Sequence, residues 1–320
     1  MSTPGMADDA ASGDPLSPDE AFAALGNETR VRILRVLGDE DDPLSFSALY
    51  DEMEMRDSGQ FNYHLDKLVG HFVRKTEEGY ELDRAGRRIV EAILSGAVTD
   101  DVAVDRTPID EQCDICGSPV EATWNDGGIN LYCTECDGRY DHHHRRNRGS
   151  AEGYLGTLLL PPAGLRDRSA DAAAQAAWTR TNLEILSMAS GLCPRCSATI
   201  ETERHVCTDH GATGESCSAC GGYYAVSVGF QCTNCIFSSG GAGVLALLSN
   251  TDLLDFLTDH GHNPVDPDSI RRVNELQMNY EERILAEDPF EAEFTFRAAD
   301  ETLTLTVDGD LSVVDSVREQ

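Results

Sequence analysis

The sequence predicts an α+β fold made of several small domains, and three observations support this prediction. Helical periodicity runs through residues 17–95, with one short hairpin near its end. Five Cys-x-x-Cys pairs lie between residues 113 and 235, a spacing typical of zinc-binding modules. Polar and apolar residues alternate from residue 290 onward, as expected for antiparallel strands.

The composition is strongly acidic. The chain has 57 acidic and 25 basic residues, a net charge of −32, and its only lysines are Lys67 and Lys75. Because the acidic residues are spread over the whole length, the composition resembles that of proteins from salt-accumulating halophilic archaea. At molar salt the Debye length is only about 3 Å. The negative charge therefore does not exclude a nucleic-acid partner.

The N-terminus has neither the basic region nor the apolar region of a signal peptide. The sequence also lacks a run of about 20 apolar residues, the length needed to span a membrane. We expect a cytoplasmic protein with no membrane partner and a disordered acidic tail at residues 1–15. Cysteines stay reduced in that compartment, so the spaced pairs indicate metal binding and not disulfides.

Residues 16–98 predict four helices, a hairpin and a fifth helix. Ser17, Asn27 and Ser45 are good helix caps, and the fourth helix is expected from Ser58 to Gly70. Two short strands then flank Glu77-Glu78-Gly79, and a last helix begins near Arg84. This order is typical of a winged helix-turn-helix domain.

The stretches ALGNETRVRILRVL, GQFNYHLDKLVGHFV and GYELDRAGRRIVEAIL resemble ArsR-type archaeal transcriptional regulators. The resemblance implies that the fourth helix enters the major groove of double-stranded DNA and that the wing touches the backbone. Carried onto this chain, the base-contact residues are Gln60, Asn62, Tyr63 and Lys67. The implied phosphate contacts are Arg74, Lys75, Arg87 and Arg88.

Two further expectations follow from this resemblance. Metal-sensing ArsR-type members carry cysteines in the helix before the recognition helix, but here that segment reads FSALYDEMEM, so we expect no metal sensing there. The family often dimerises through its terminal helices, which implies a homodimer and a pseudo-palindromic site. The apolar residues suited to that contact are Phe22, Leu25, Ile89, Ile93 and Leu94.

After a predicted linker at residues 99–110, residues 111–149 predict a zinc ribbon. Two Cys-x-x-Cys pairs with sixteen residues between them supply four thiolates to one ion. The ligands are Cys113, Cys116, Cys133 and Cys136. The interval is expected to form a hairpin that turns at residues 125–128.

A double zinc module is predicted at residues 192–237. Seven cysteines cannot fill two sites, but Cys207-x-x-His210 supplies the eighth ligand. We expect sequential sites. The first would use Cys193, Cys196, Cys207 and His210, and the second Cys217, Cys220, Cys232 and Cys235. His205 could replace His210, Cys193 and Cys196 could pair with Cys217 and Cys220, or the sites could interleave and leave Cys207 free.

Three structural zinc ions are therefore expected, and no enzyme. Each predicted site is filled by four protein ligands, whereas a catalytic zinc keeps an open position. The run at residues 141–149, together with the preceding Arg139, is the one basic island, and it is expected to be a solvated loop that could touch a nucleic-acid backbone. Its members are Arg139, His142, His143, His144, Arg145, Arg146 and Arg148.

The remaining segments are a strand and helix at residues 150–191, treated as a linker, a small acidic α+β domain at 238–314 and a tail at 315–320. Within the acidic domain, residues 266–288 are expected to be helical. The whole pattern predicts a DNA-binding transcriptional regulator, with RNA polymerase or transcription factors as further partners. Two alternatives stay open. One is a general transcription accessory factor that resembles the archaeal initiation factor TFE, and the other is a zinc-stabilised protein-interaction hub without DNA binding.

Overall fold

The computed structural model describes residues 16–100, 102–125, 127–139, 152–210, 217–263, 265–266 and 269–320. The predicted tail at 1–15 and the basic island from residue 140 onward lie outside these ranges. The chain divides into two compact units, Met1–Asp100 and Asp101–Gln320, which we describe separately. The described residues form eight α-helices and four antiparallel sheets, which confirms the predicted α+β class.

The first unit contains five helices and one antiparallel hairpin. The elements are α1 (Pro18–Leu25), α2 (Glu28–Gly38), α3 (Phe46–Glu52), α4 (Ser58–Asp66), β1 (Val73–Lys75), β2 (Tyr80–Leu82) and α5 (Arg84–Leu94). Ser17 and Glu20 form a reciprocal capping box at α1, and Asn27 and Ser45 cap α2 and α3 as predicted. Helix α4 ends at Asp66, before the predicted Gly70, because the chain turns there and Gly70 adopts a left-handed φ of 88°.

The core of the first unit is formed by the apolar stripe of α4 packed on α2. Phe61 and Leu65 of α4 and Ile33 and Leu34 of α2 are fully buried. Burying each such side chain contributes about 1.5–3 kcal/mol. The packing therefore fixes which face of α4 points away from the core.

The second unit begins with a four-stranded antiparallel sheet in the order β3-β4-β5-β6. The strands are β3 (Val104–Gln112), β4 (Pro119–Asn125), β5 (Gly128–Cys133) and β6 (Tyr154–Leu159). The predicted linker at 99–110 therefore holds most of an edge strand. Only Ile109 of that strand is buried, so its sequence has the polar character of a linker.

Helix α6 (Ala170–Ala189) packs on this sheet through Ala173, Ala177 and Trp178. Residues 150–191 are thus part of a domain core and not a linker, which corrects the predicted boundary. The isolated sequence could not show this, because β6 is placed by its pairing with β5, about 25 residues earlier along the chain.

A three-stranded sheet follows in the order β7-β8-β9, with strands Ile200–Val206, Val226–Cys232 and Ser238–Ala242. Strands β7 and β8 form a regular antiparallel pair that aligns Ile200 with Cys232 and Val206 with Val226. Helices α7 (Thr251–Asp259) and α8 (Ile270–Gln277) come next.

The chain ends in a four-stranded meander, β10-β11-β12-β13. Its strands are Glu281–Glu287, Phe290–Ala298, Glu301–Val307 and Val313–Glu319. Two predictions are wrong here. The helix expected over 266–288 is α8 followed by a strand, since the helix formers in EERILAE pair with β11. The expected tail at 315–320 lies largely in β13, whose exposed side chains resemble those of a tail.

Within the described part of the chain, every helix is too short or too polar to traverse a lipid bilayer.

Candidate functional site

The first cluster of possible metal ligands lies where the β3-β4 and β5-β6 connections meet. Its members are Cys113, Cys116, Cys133 and Cys136, whose sulfur atoms all lie within 4.8 Å of one another. Two Sγ–Sγ distances are 3.4 and 3.7 Å. Four sulfurs around one zinc at 2.3 Å would be about 3.8 Å apart, so this arrangement fits a tetrahedral ion. The predicted grouping of these four cysteines is therefore confirmed.

The other eight ligands form two clusters that are nested and not sequential. The outer cluster comprises Cys193, Cys196, Cys232 and Cys235. The inner cluster comprises Cys207, His210, Cys217 and Cys220. The sequential grouping is therefore wrong, although the pairing of Cys207 with His210 within one site is confirmed. His205 is exposed, belongs to neither cluster, and lies 3.9 Å from Glu203.

The register of the β7-β8 hairpin explains the nesting. Of the outer ligands, Cys193 and Cys196 precede β7, Cys232 is the last residue of β8 and Cys235 follows it. The inner ligands follow β7 and precede β8. The outer and inner clusters therefore lie at opposite ends of the hairpin. A seven-residue strand is about 20 Å long, so Cys207 cannot reach the ion held by Cys193 and Cys196.

Tight turns bring the two sulfurs of a Cys-x-x-Cys pair, called a knuckle below, toward one point. In the first cluster, Gly117 N donates to Cys113 O at 2.9 Å with Gly117 in the left-handed region, φ 77°. In the outer cluster, Ser197 takes the same role at φ 61° and donates to Cys193 O at 2.9 Å. Backbone N–H groups also point at the sulfurs. For example, Ile115 N lies 3.4 Å from Cys113 Sγ. Such donors favour the thiolate, the form that binds metal.

The thiols within these clusters differ in pKa, because hydrogen bonds lower some of the values and burial raises others. The Ser118 side chain lowers the pKa of Cys116 to about 6, and the Ala198 N–H lowers the pKa of Cys196 to about 6. Burial raises the pKa of Cys113 and of Cys207 to about 11. Cys116 and Cys196 are therefore the more acidic thiols, and their acidity favours the thiolate form that binds a cation. The other thiols lose their protons as the metal binds.

The predicted base-contact residues lie on the solvent side of α4. Gln60, Asn62, Tyr63 and Lys67 are all exposed, and Tyr63 exposes 58% of its surface. Lys67 Nζ lies 5.7 Å from the Tyr63 ring centroid, and Asn62 Nδ2 donates to Asp66 Oδ2 at 2.9 Å. His64, on the same helix, is buried.

The predicted phosphate-contact residues are also exposed, on β1 and α5. Two of them already have acidic partners. Arg74 pairs with Glu81 across the hairpin at 2.9 Å, and Arg88 pairs with Glu91 at 2.9 Å. Exposed pairs of this kind are worth only about 0.2–1 kcal/mol, so they can be exchanged for another anion.

Arg139 is buried, so its predicted place in the solvated basic island is wrong. Its side chain is only 6% exposed, forms an ion pair with Asp114 and donates to Tyr224 Oη. The guanidinium thereby joins the first cluster, whose knuckle contains Asp114, to the segment that follows Cys220. No sequence signal connects residues 139 and 224, because only the tertiary fold brings them together.

Comparison with known proteins finds one family-model match in each unit. Residues 18–93 match the model of a domain of unknown function, DUF7347. No curated protein matches the chain significantly. No solved structure does so either. Residues 110–313 match the model of another domain of unknown function, DUF7351, and this match spans both nested clusters and the first one. Since that match covers well over half of its length, the chain belongs to the DUF7351 family.

Proposed function

We propose that the protein is a DNA-binding transcriptional regulator of ArsR-like winged-helix type, stabilised by three structural zinc ions. The observation that carries the proposal is the division of α4 into two faces. Phe61, Leu65 and Leu68 are fully buried, whereas the polar and aromatic side chains between them are exposed. An exposed row of Gln, Asn, Tyr and Lys on a helix held by a core is suited to the major groove.

Each predicted base-contact side chain, on α4 or at its C-cap Lys67, has a chemistry suited to a base edge. Gln60 and Asn62 can pair with adenine through two hydrogen bonds, and Lys67 can donate to guanine. Asn62 would exchange its bond to Asp66 for the base. Tyr63 would pack against the thymine methyl group or a sugar. In this proposal, α4 reads the sequence.

The hairpin and α5 hold the register on the duplex. Arg74 and Lys75 of β1 and Arg87 and Arg88 of α5 donate to phosphates without specifying a sequence. The net charge of −32 opposes this contact at low salt. At molar salt the repulsion is screened beyond about 3 Å, which leaves the short-range contacts.

Zinc is the metal that this donor set favours. Eleven thiolates and one imidazole suit a borderline-soft ion with tetrahedral geometry. Each cluster supplies four ligands and leaves no open position, so the ions hold the connections of the second unit in place and perform no catalysis. The residues that would hold them are the twelve ligands described above.

A homodimer forms part of the proposal. Phe22 of α1 is 74% exposed and Leu94 of α5 is 42% exposed, while Leu25, Ile89 and Ile93 are half-buried. If these side chains were buried against a second copy, a two-fold axis would relate the two α4 helices. Such a dimer would bind a pseudo-palindrome with half-sites about 34 Å apart.

The test is to map the protein on its host genome by crosslinking in live cells at native salt. The proposal expects occupancy at a few promoters that share a motif. Gln60→Ala and Tyr63→Ala should weaken binding to that motif by about tenfold or more, the cost of losing a base contact. Arg35→Ala, a change at an exposed site on α2, is the matched control and should leave occupancy unchanged.

Other outcomes overturn the proposal. Occupancy that follows RNA polymerase across all active promoters, without a motif, would indicate the accessory factor. Occupancy no higher than that of an untagged strain would indicate the interaction hub. The zinc assignment is tested separately by elemental analysis of the purified chain, where three zinc ions per chain are expected.

A further inference from the structure

The second unit contains a cavity that the metal clusters and the α4 surface do not account for. Its volume is about 830 Å³, and its wall is formed by β6, α6, the β7-β8-β9 sheet and α8. Trp178 and Asn182 of α6, Ser227 of β8, Ala242 of β9 and Gln277 of α8 lie on this wall. Ligand cavities in proteins are typically about 300–1,000 Å³. This one is large enough for a molecule of drug-like size.

The aspartate, glutamate and arginine side chains on the wall already have hydrogen-bond or ion-pair partners. Glu111 accepts the Ile270 N–H at 2.9 Å. Three ion pairs compensate the others: Arg139 with Asp114, Glu184 with Arg195 at 2.7 Å, and Arg271 with Glu275 at 2.7 Å. An ionised ligand would have to break one of these pairs or enter with an uncompensated charge, and both cost free energy. The cavity therefore favours an uncharged ligand.

The wall also holds a buried acceptor that lacks a partner. Gln277 is 3% exposed, and its Oε1 has no hydrogen bond within the described residues. A buried amide oxygen left unpaired costs about 1–3 kcal/mol. The oxygen itself has almost no accessible surface, so a ligand reaches it only when the Gln277 amide turns toward the cavity. A ligand that then donates an N–H or O–H to Gln277 recovers that cost. The apolar wall around Trp178, Leu158 and Met188 buries the rest of the ligand.

We propose that this cavity binds an uncharged, largely apolar small molecule that carries at least one N–H or O–H donor. The inference rests on the cavity and its wall, and it holds whether or not the chain binds DNA. Cys207 and Cys220 of the inner cluster also lie on the wall, so the site is tested in the metal-loaded full chain.

The probe is N-phenyl-1-naphthylamine, an uncharged aromatic amine with one N–H, whose fluorescence rises in an apolar site. Titration of the full chain in molar potassium chloride should show saturable binding. Ser227→Phe fills the cavity and should weaken this binding by about tenfold or more, because the ring occupies the ligand's space. Ser238→Phe is the matched control, since Ser238 lies on the neighbouring strand of the same sheet and is not on the wall. It should bind within about twofold of the wild type, the scatter expected of surface changes.

A second variant tests the hydrogen bond. Gln277→Leu keeps the volume and removes the acceptor, so it should weaken binding of the amine by about fivefold, the worth of one neutral hydrogen bond. The N-methyl derivative of the probe has no donor, and its affinity should not fall in this variant. Metal content and circular dichroism establish that each variant is folded. Binding that does not saturate, or that survives Ser227→Phe unchanged, overturns the cavity site. Equal losses for both probes in Gln277→Leu overturn the donor requirement.

Discussion

Cys207 shows how one residue's role is decided by a neighbouring hairpin. The spacing Cys207-x-x-His210 identified these two as ligands of one site, which the structure confirms. The choice of the other two ligands depended on the β7-β8 register, in which Val206 faces Val226. Sequence spacing favours neighbours along the chain, whereas a hairpin brings together residues that are symmetric about its turn.

Pairs of substitutions distinguish nested from sequential clusters. Cys193→Ser with Cys232→Ser removes two ligands of one cluster, so this variant should lose one zinc ion. Cys193→Ser with Cys207→Ser damages two clusters and should lose two. Native mass spectrometry after exposure to a competing chelator gives the count. Sequential clusters would reverse the two results.

Glu282 is a half-buried residue whose carboxyl group is expected to titrate near neutral pH. Burial raises its pKa from 4.5 to about 7, although it accepts N–H groups from Ala225 at 2.5 Å and Val226 at 3.2 Å and a hydroxyl from Tyr280. Because the folded state holds this proton more tightly, the stabilisation is full below about pH 4.5 and is lost as the pH rises through about 7.

The corresponding measurement compares the wild type with Glu282→Gln. Between pH 4 and 8, the unfolding free energy of the wild type should fall relative to the variant by about 3 kcal/mol, the value of such a pKa difference. Carbon-13 NMR of labelled glutamate, assigned with the same variant, should show one carboxyl group titrating near pH 7. If every glutamate titrates near pH 4, Glu282 is solvated and the prediction is wrong.

The hairpin β1-β2 depends on one glycine. Gly79 has φ 152°, and a Cβ there would overlap the Leu44 carbonyl, which accepts the Tyr80 N–H at 2.8 Å. Gly70 also has a left-handed φ, 88°, but a Cβ there would meet no atom within 4 Å. The two positions therefore share backbone strain and differ in steric overlap.

Gly79→Ala should lower the free energy of opening the hairpin by more than about 2 kcal/mol, since it adds a clash to the strain. Gly70→Ala should cost only the strain, about 1 kcal/mol. Hydrogen exchange of the Tyr80 amide measures both. Equal effects of the two substitutions would mean that the Leu44 contact is absent in solution.

Among the helices and strands, those predicted correctly carry a local sequence signal such as a helix cap. Helices α1, α2 and α3 have caps at Ser17, Asn27 and Ser45, and each begins as predicted. Strand β3 was missed and most of β13 was assigned to a tail, because both lie at sheet edges with mostly exposed side chains and owe their conformation to pairing with β4 and β12. Strand β10 was taken for a helix because Glu, Arg, Leu and Ala favour helices until a partner strand competes.

On the scale of the whole molecule, the two units differ in what stabilises them. The first unit has one apolar core and no cysteine before Cys113. The second unit has two apolar cores and holds all three clusters. A structural zinc site is worth about 10–16 kcal/mol at neutral pH, as much as the whole stability of a typical domain, about 5–15 kcal/mol. If the clusters hold zinc as proposed, we therefore expect the metal to decide whether the second unit is folded and to leave the core of the first unchanged.

Removal of the metal should unfold the second unit and leave the first unit folded. A strong chelator should abolish hydrogen-exchange protection in residues 101–320 and leave the amides of Leu34 and Leu65 protected at their original level. Added zinc should restore the lost protection, which distinguishes metal loss from irreversible denaturation. If the chelator also exposes the core of the first unit, the two units fold together. If residues 101–320 stay protected without metal, their apolar cores are sufficient and the clusters are not structural.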